Sequence, residues 1–199
     1  MRFLVVLALL LPATPALADA LESIRERALE LNNRDRVKRG RKALKRDAAL
    51  DRAAQVHAED MLRRRYFSHK GKDGRRARQR YLDSGGSRRV SHGENIAVCR
   101  NGCPPPDDAR LKRLQRNWMR SRGHRVNILR REFTRFGYGL AYRKGRLYAV
   151  QTFSSEPPAH DANPNVSGSP VNTVRRVVKP RRTVRRPKRK RFKLKFWKR

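Results

Sequence analysis

Apolar residues at helical spacing predict two amphipathic helices in the first third of the chain. In residues 20–34, Leu21, Ile24, Ala28 and Leu31 recur at positions i, i+3, i+7 and i+10. This spacing puts the four side chains on one face of a helix. A second helix is predicted from about Asp47 to Arg64, with Asp47 as its N-cap. Its apolar stripe passes through Leu50 and His57, so we expect His57 to face the core.

Two further helices are predicted downstream. One has its apolar face at Leu111, Leu114 and Trp118. Gly123 follows this stretch directly after basic residues, which is typical of a helix end. This predicts that His124 lies in a turn just past the helix. A shorter helix is predicted within residues 75–86, where Gly85 would end it.

Alternating bulky and small residues predict a β-hairpin in residues 136–153. The first half alternates aromatic or leucine side chains with glycine or alanine, and the second half is almost continuously apolar or small. Lys144 and Gly145 between them indicate a turn. Residues 92–98 also read as extended. Glycines on one strand face imply close packing of another element there. The predicted fold is therefore α+β, an α-β-α sandwich with a small antiparallel sheet between helices.

The N-terminal residues 1–18 have the pattern of a secretory signal peptide. One arginine precedes a short apolar run, and a small-x-small site, Ala16-Leu17-Ala18, follows it. The run is too short to span a bilayer, and no other segment approaches 18 apolar residues. We expect a mature chain that starts near Asp19, is exported to the periplasm or beyond the cell, and has no transmembrane segment.

Composition divides the exported chain into three parts. The predicted domain covers residues 19–153, and residues 154–174 lack periodicity and read as a flexible linker. Residues 175–199 hold fifteen Lys and Arg and no acidic residue, so +20 of the total net charge of +35 remains on the rest of the chain. We expect this tail to be disordered when free.

The tail predicts attachment to anionic surfaces. Cations attract polyanions, and terminal aromatic residues insert at membrane interfaces. In an exported protein the expected partners are phospholipid head groups, lipopolysaccharide or wall polymers. A nucleic acid would bind by the same charge, but the compartment and the lack of a reading motif disfavour it. A solvated tail without a partner is the remaining alternative. The residues expected to contact the polyanion are Arg185, Arg186, Lys188, Arg189, Lys190, Arg191, Lys193, Lys195 and Trp197.

The two cysteines, Cys99 and Cys103, are expected to form a disulfide. An even pair in an exported chain is more typical of a disulfide than of a metal site. The loop is small, so the expected stabilisation is only about 2 kcal/mol. Two free thiols are the alternative, because so short a ring carries strain.

Six short motifs resemble the bacterial branch of the CAP superfamily, which is named for cysteine-rich secretory proteins, antigen-5 and plant pathogenesis-related proteins. They are HAEDM at 57–61, YFSH at 66–69, GENIA at 93–97, WMRSRGHRVNIL at 118–129, FTRFGYG at 133–139 and YAVQTF at 148–153. Their order along about 135 residues makes the resemblance specific, and it does not extend to the C-terminal 46 residues. It implies an exported α-β-α domain with a polar cleft.

The resemblance also implies which residues line that cleft. His57, Glu94 and His124 match three of the four family positions, and Ser121 stands at the fourth, which is acidic in many eukaryotic members. Two imidazoles and a carboxylate are typical ligands of a divalent metal such as zinc, weakly bound here because serine is a poor ligand. His92 and Asn95 are added as cleft-lining candidates. His69 is expected only to settle the end of the second helix.

Three interpretations of this cleft stay open from the sequence. The residues could form a buried polar network, a weak zinc site, or a metal-assisted hydrolytic centre that uses His57, Glu94 and His124. No GxSxG, HExxH or nucleophilic cysteine pattern supports the hydrolase. The favoured function is a monomeric, non-enzymatic binding module for a small or lipidic ligand, with the tail as its attachment. A polyanion or nucleic-acid binder that works through the tail is the third alternative.

Overall fold

A computed structural model describes residues 15–156 of the chain, with side chains from residue 19. Its helices are α1 (Pro15–Val37), α2 (Ala48–Arg63), α3 (Ala77–Asp83), α4 (Asp108–Arg120) and α5 (Arg122–Leu129). Its strands are β1 (Lys45–Arg46), β2 (His92–Cys99), β3 (Arg135–Arg143) and β4 (Arg146–Ser154). Within these residues no helix is both long and apolar enough to span a membrane. The predicted signal peptide, linker and tail lie almost entirely outside the described residues.

The strands form one four-stranded sheet in the order β1-β3-β4-β2. The predicted hairpin is β3 and β4, whose antiparallel register runs from Arg135 opposite Ser154 to Arg143 opposite Arg146. The predicted extended stretch is β2, which pairs antiparallel with β4. The two-residue β1 pairs parallel with β3 and makes the sheet mixed. The sequence does not predict it, because two residues carry no measurable periodicity.

Helices cover both faces of the sheet, which confirms the predicted α-β-α sandwich. On one face α2 lies directly against the glycines of β3. A Cβ atom at Gly137 would stand 2.3 Å from the carbonyl carbon of Leu50, and one at Gly139 would stand 2.3 Å from that of Ala54. The strand therefore needs glycine at both positions. The other face carries the bulky residues of the same strand, Phe136, Tyr138 and Leu140, which pack in the main core with α1, α4 and α5.

The N-terminal end of α2 is set by its cap, as predicted. Asp47 has extended backbone angles, and its carboxylate accepts a hydrogen bond from the amide of Leu50. This bond satisfies one of the amides that a helix start leaves without a partner. The same cap places His57 on the inward face of α2, where it is 1 % exposed.

The predicted helix end at Gly123 is wrong. Helix α4 ends earlier, at Arg120, and Ser121 has extended backbone angles that separate it from α5. Gly123 lies inside α5 and is not among the glycines with positive φ, whereas a helix-ending glycine adopts that conformation. His124 therefore stands in the first turn of α5 and not in a loop. The other predicted stop is confirmed, since Gly85 follows α3 with a φ of 87°.

The cysteines are bonded to each other, which confirms the predicted disulfide Cys99–Cys103. The loop that it closes contacts the turn between β3 and β4. The amide of Cys103 donates to the carbonyl of Gly145 at 3.1 Å, and the hydroxyl of Tyr142 donates to the carbonyl of Cys103 at 3.0 Å. The disulfide thus fixes a loop that in turn holds this hairpin end.

Candidate functional site

Glu94 is the centre of a buried ion-pair network on β2. Its Oε1 accepts a hydrogen bond from Nδ1 of His69 at 2.8 Å, and its Oε2 accepts one from Nη2 of Arg80 at 2.5 Å. Arg80, on α3, is 7 % exposed and also donates to the carbonyl of Arg75 at 2.9 Å. Both carboxylate oxygens of Glu94 are therefore occupied by protein donors.

These contacts decide the charge of Glu94. Burial alone would raise the pKa of this carboxyl, but the hydrogen bond from His69 and the positive charge of Arg80 outweigh burial and hold the pKa below its usual range. Glu94 is thus an anion at neutral pH. A carboxylate that is ionised and hydrogen-bonded at both oxygens serves to anchor its neighbours and is poorly suited to exchange a proton.

His69 and Arg80 are the functional residues that the sequence prediction missed. We expected His69 to settle the end of α2, whereas its ring binds Glu94. Arg80 comes from a stretch with four arginines in six residues, RRARQR at 75–80, and nothing in that run distinguishes the buried one. The one available signal is Tyr81, whose buried ring fixes the rotation of α3 and so the direction of Arg80.

His57 lies close to this network but binds a backbone group. Its Nε2 donates to the carbonyl of Ser68 at 2.9 Å, so it ties α2 to the segment that follows it. Burial lowers the pKa of His57, and the opposing charges of Glu94 and Arg80 act on it from nearby. The imidazole is therefore neutral at neutral pH, and its role in this structure is to position residues 68 and 69.

His124 and Ser121 form a local pair at the start of α5. Nδ1 of His124 and Oγ of Ser121 are 2.8 Å apart. Burial lowers the pKa of His124, and the electrostatic effect of His69 adds to that lowering. A hydroxyl beside an imidazole resembles a nucleophile with its base, but within residues 19–156 no carboxylate bonds to His124 to orient it. The spacing of three residues is that of a contact within one helical turn.

Asn95 does not line the cleft with Glu94. It is 0 % exposed and lies on the opposite face of β2, since successive strand residues alternate. Its amide donates to the carbonyl of His124 at 3.2 Å and to Oε1 of Gln151 at 3.1 Å, and its own oxygen accepts from Asn127 at 2.9 Å. This chain of amides holds the first turn of α5 against the sheet and so fixes the position of His124.

His92 also lies outside the cleft. Its ring packs edge-on against Tyr81 at a centroid distance of 4.9 Å, and its Nε2 is buried with no hydrogen-bond partner among residues 19–156. Burial, together with the positive charge of Arg78, lowers the pKa of His92 from 6.5 to about 4. The residue therefore stays neutral in the folded protein down to about pH 4.

This shift predicts a stability loss in mild acid. Between pH 6.5 and about 4 the unfolded chain binds a proton at His92 that the folded chain does not, so the free energy of unfolding falls as the pH falls and levels off below that window. Full shielding would make this about 3 kcal/mol, and partial solvent contact reduces it to about 1–2 kcal/mol. We expect His92→Gln to remove that part of the loss in urea unfolding series from pH 7 to 4. Parallel curves for the two proteins would contradict it.

An open groove runs past the exposed side of the network. It has a volume of about 550 Å³ and is lined by Phe67, Ser68, His69, Lys70, Arg76, Ile96 and His124. The apolar part of the lining is Phe67, which is 39 % exposed, and Ile96. The remainder is imidazole, hydroxyl and cationic. The groove therefore offers an apolar floor with a basic edge, and the buried side of the network holds that edge in place.

The structure brings the predicted metal residues into one region but not onto a common point. His57 binds a backbone carbonyl, Glu94 binds Arg80 and His69, and His124 binds Ser121. Among the side chains of residues 19–156, no group of three or more His, Cys, Asp or Glu is placed to hold a metal ion. Zinc needs free donors, and a guanidinium beside the carboxylate opposes a second cation. The residues in this arrangement do not fit zinc. The metal site that the sequence suggested therefore remains a prediction that nothing here tests.

Comparisons with known proteins agree with this architecture. YkwD of Bacillus subtilis (strain 168) is 31 % identical over 138 residues, which are 69 % of this chain and 50 % of YkwD. An extracellular protein of Bacillus anthracis that contains an SCP domain superposes with a TM-score of 0.59 at 27 % identity, over 73 % of this chain and 45 % of that one. The chain thus spans about half the length of these relatives.

A more distant likeness supports the fold alone. An outer surface protein of Borrelia burgdorferi superposes with a TM-score of 0.52 at 17 % identity, over 74 % of this chain and 97 % of that protein. The family model described as "CAP: Cysteine-rich secretory protein family" matches residues 29–153, which include four of the five helices in full and the whole sheet except the last residue of β4. This chain belongs to the cysteine-rich secretory protein (CAP) family.

Proposed function

We propose that this chain is an exported, non-enzymatic binding module whose groove takes a small amphiphilic ligand with an anionic head. The observation that carries the proposal is the state of Glu94. Both of its oxygens are engaged by His69 and Arg80, so no free carboxylate faces the groove as a catalytic acid or base. The side of this network that faces the groove is held in a fixed geometry.

The lining of the groove suits such a ligand. Lys70 and Arg76 supply positive charge at its edge, and Phe67 and Ile96 supply apolar surface. Binding sites for small molecules commonly combine an apolar wall with a few placed polar groups. An anionic head against the two cations would gain charge-assisted hydrogen bonds, while the apolar part of the ligand covers the aromatic ring.

Removal of the two edge cations tests this function. We expect Lys70→Gln combined with Arg76→Gln to weaken binding of laurate to the full chain by about tenfold, the loss of roughly one charge-assisted hydrogen bond. Isothermal titration calorimetry measures it. The matched control is Arg113→Gln with Arg116→Gln, which removes the same charge from the solvent-exposed side of α4. Equal affinity of the wild-type chain and the Lys70/Arg76 variant would contradict the proposal.

The second part of the proposed function is attachment through residues 175–199. Their fifteen basic residues, without an acidic one, support binding to an anionic envelope surface such as phospholipid head groups, lipopolysaccharide or wall polymers. The predicted contact residues, Arg185 to Trp197, lie outside the described residues. The proposal for them therefore rests on charge and composition.

A chain that stops after residue 174 tests the attachment. It keeps every described element and the linker and loses only the basic tail. At about 1 kcal/mol for each basic residue near an anionic membrane, we expect binding to vesicles with phosphatidylglycerol to fall by more than a hundredfold at low salt. Vesicle co-sedimentation at two salt concentrations measures it. If the shortened chain sediments with vesicles as completely as the full chain, the tail is not the attachment.

A further inference from the structure

A second basic surface lies on the folded domain, and its lining shares no residue with the groove beside the Glu94 network. The end of α2 and the turn between β3 and β4 together form a groove of about 600 Å³. Five cations line it, Arg63, Arg65, Arg143, Lys144 and Arg146. Glu59 and Leu62 complete the lining. We call this the hairpin groove. It joins residues that are about 80 positions apart in sequence, so the fold itself concentrates the charge.

The cations of the hairpin groove are largely without counter-charges. Arg63 pairs with Asp60 at 2.7 Å, and the one acidic lining residue, Glu59, accepts a hydrogen bond from the amide of Gln55. In the part of the chain that the structure describes, Arg65, Arg143, Lys144 and Arg146 make no ion pair and no side-chain hydrogen bond. Net positive charge inside a groove attracts anions more strongly than the same charge on a flat surface.

Three features of this groove are unfavourable for folding by themselves. Arg143 and Arg146 are directly opposite each other across the hairpin, and like charges in that position repel. Arg65 and Lys144 both have left-handed backbone angles, with φ of 52° and 47°. Glycine or asparagine adopts that region at lower cost than a long cationic side chain. A bound anion would offset the repulsion between Arg143 and Arg146.

The hairpin end is also held in place. The disulfide loop binds the turn through the contact from the amide of Cys103 to the carbonyl of Gly145, and the hydroxyl of Tyr142 binds the same loop. A Cβ atom at Gly145 would stand 3.1 Å from the amide nitrogen of Gly102, so the two turns lie close together. Arg143, Lys144 and Arg146 therefore project from a braced turn, which lowers the ordering cost of binding.

We propose that the hairpin groove binds a linear polymer of phosphate groups. Its cations would contact successive phosphates of the polymer. Four of the five cations are arginines, whose planar guanidinium groups match phosphate with two parallel hydrogen bonds. A linear polymer can lie within a groove, whereas a flat membrane surface cannot enter it. Among the residues that the structure describes, none that lines this groove is aromatic, so the folded domain offers no stacking platform for nucleobases here. The groove therefore recognises phosphate groups in series and not a nucleobase sequence.

The test uses the full chain with inorganic polyphosphate as the probe. Because the basic tail also attracts polyphosphate, the position of binding is measured by hydrogen–deuterium exchange. We expect polyphosphate to slow exchange in peptides that cover residues 63–66 and 143–146, and not in peptides from α4. Slowed exchange that is confined to residues 175–199 would overturn the proposal.

The variant Arg65→Asn with Lys144→Asn tests the charge without loss of the fold, because asparagine suits both left-handed positions. We expect its unfolding midpoint to stay unchanged or to rise. We expect its affinity for polyphosphate to fall about tenfold at 0.1 M salt and the salt dependence to lose a slope of about two, one for each phosphate contact. The control variant, Arg113→Gln with Arg116→Gln, should keep the wild-type affinity for polyphosphate and the wild-type salt dependence.

Two further binding measurements, with single-stranded DNA and with vesicles, identify the partner. Single-stranded DNA at the same phosphate concentration should bind no more tightly than polyphosphate, and vesicles with phosphatidylglycerol should bind the variant and the wild-type chain equally. If DNA binds more tightly than polyphosphate and also slows exchange at residues 63–66 and 143–146, the groove belongs to nucleic acid and the proposal is overturned. A matching loss of vesicle binding in the variant would assign it to a membrane surface, with the same result.

Discussion

Substitution of Arg80 by methionine should lower the free energy of unfolding by about 3–5 kcal/mol, because it leaves the buried carboxylate of Glu94 with one partner in place of two. Arg80 contributes the 2.5 Å contact to Oε2 of Glu94 and is itself 7 % exposed. Methionine fills much of the same volume, so the expected loss comes from the uncompensated charge. The pKa of Glu94, which is now held low, should then rise.

Urea unfolding at pH 7 measures this effect, and two variants separate its causes. Arg78→Met, two residues earlier on α3 and exposed, should change stability by less than about 0.5 kcal/mol. Glu94→Gln combined with Arg80→Met should recover part of the loss, since the unpaired charge is then gone. A double variant that is destabilised by the full sum of the single effects would show that Arg80 and Glu94 are not coupled.

The fold was predictable where a backbone requirement shows directly in residue type. Gly137 and Gly139 alternate with bulky residues in the sequence, and the structure places α2 directly on them. Asp47 precedes an apolar stripe, and it caps α2. In each case the local sequence pattern and the tertiary contact both require the same residue type at that position. Propensity and packing agree, so the sequence alone identifies the element.

The site was less predictable because its key partners look like ordinary surface residues. In a chain with 52 Lys and Arg, a buried arginine such as Arg80 has no distinguishing neighbour in sequence. His69 follows a tyrosine and a phenylalanine, so its position suggested packing, whereas the fold turns it toward Glu94. Gly123 gave the opposite error. A glycine after basic residues suggests a helix end, but Ser121 ends α4 two residues before it.

Arg36 illustrates the same difficulty and gives the second large prediction. In sequence it is one of several cations at the end of α1, yet its side chain is 0 % exposed. It donates to the carbonyls of Ile128 at 2.7 Å, Arg130 at 3.0 Å and Phe133 at 3.1 Å, and its Nε donates to that of Lys42 at 2.8 Å. Arg36 therefore satisfies the end of α5 and the loop that follows it.

We expect Arg36→Met to cost about 3–4 kcal/mol of unfolding free energy, measured by urea unfolding at pH 7. The cause differs from that at Arg80, because the groups left without a partner are neutral carbonyls, each worth about 1–3 kcal/mol when buried. Burial lowers the pKa of Arg36, so removal of this charge offsets part of the loss. The exposed Arg34 on the same helix is the control, and Arg34→Met should change stability by less than about 0.5 kcal/mol.

The loss at Arg36 should also be local, and this distinguishes capping of α5 from general core packing. Helix α5 carries His124 at its start and is held at its end by Arg36, with Arg41 bound to the carbonyl of Leu129 at 3.0 Å. In Arg36→Met we expect faster hydrogen exchange in α5 than in α2, because the end of α5 loses its donors while α2 keeps its cap. If exchange accelerates equally in both helices, Arg36 stabilises the fold as a whole and does not specifically position the helix that carries His124.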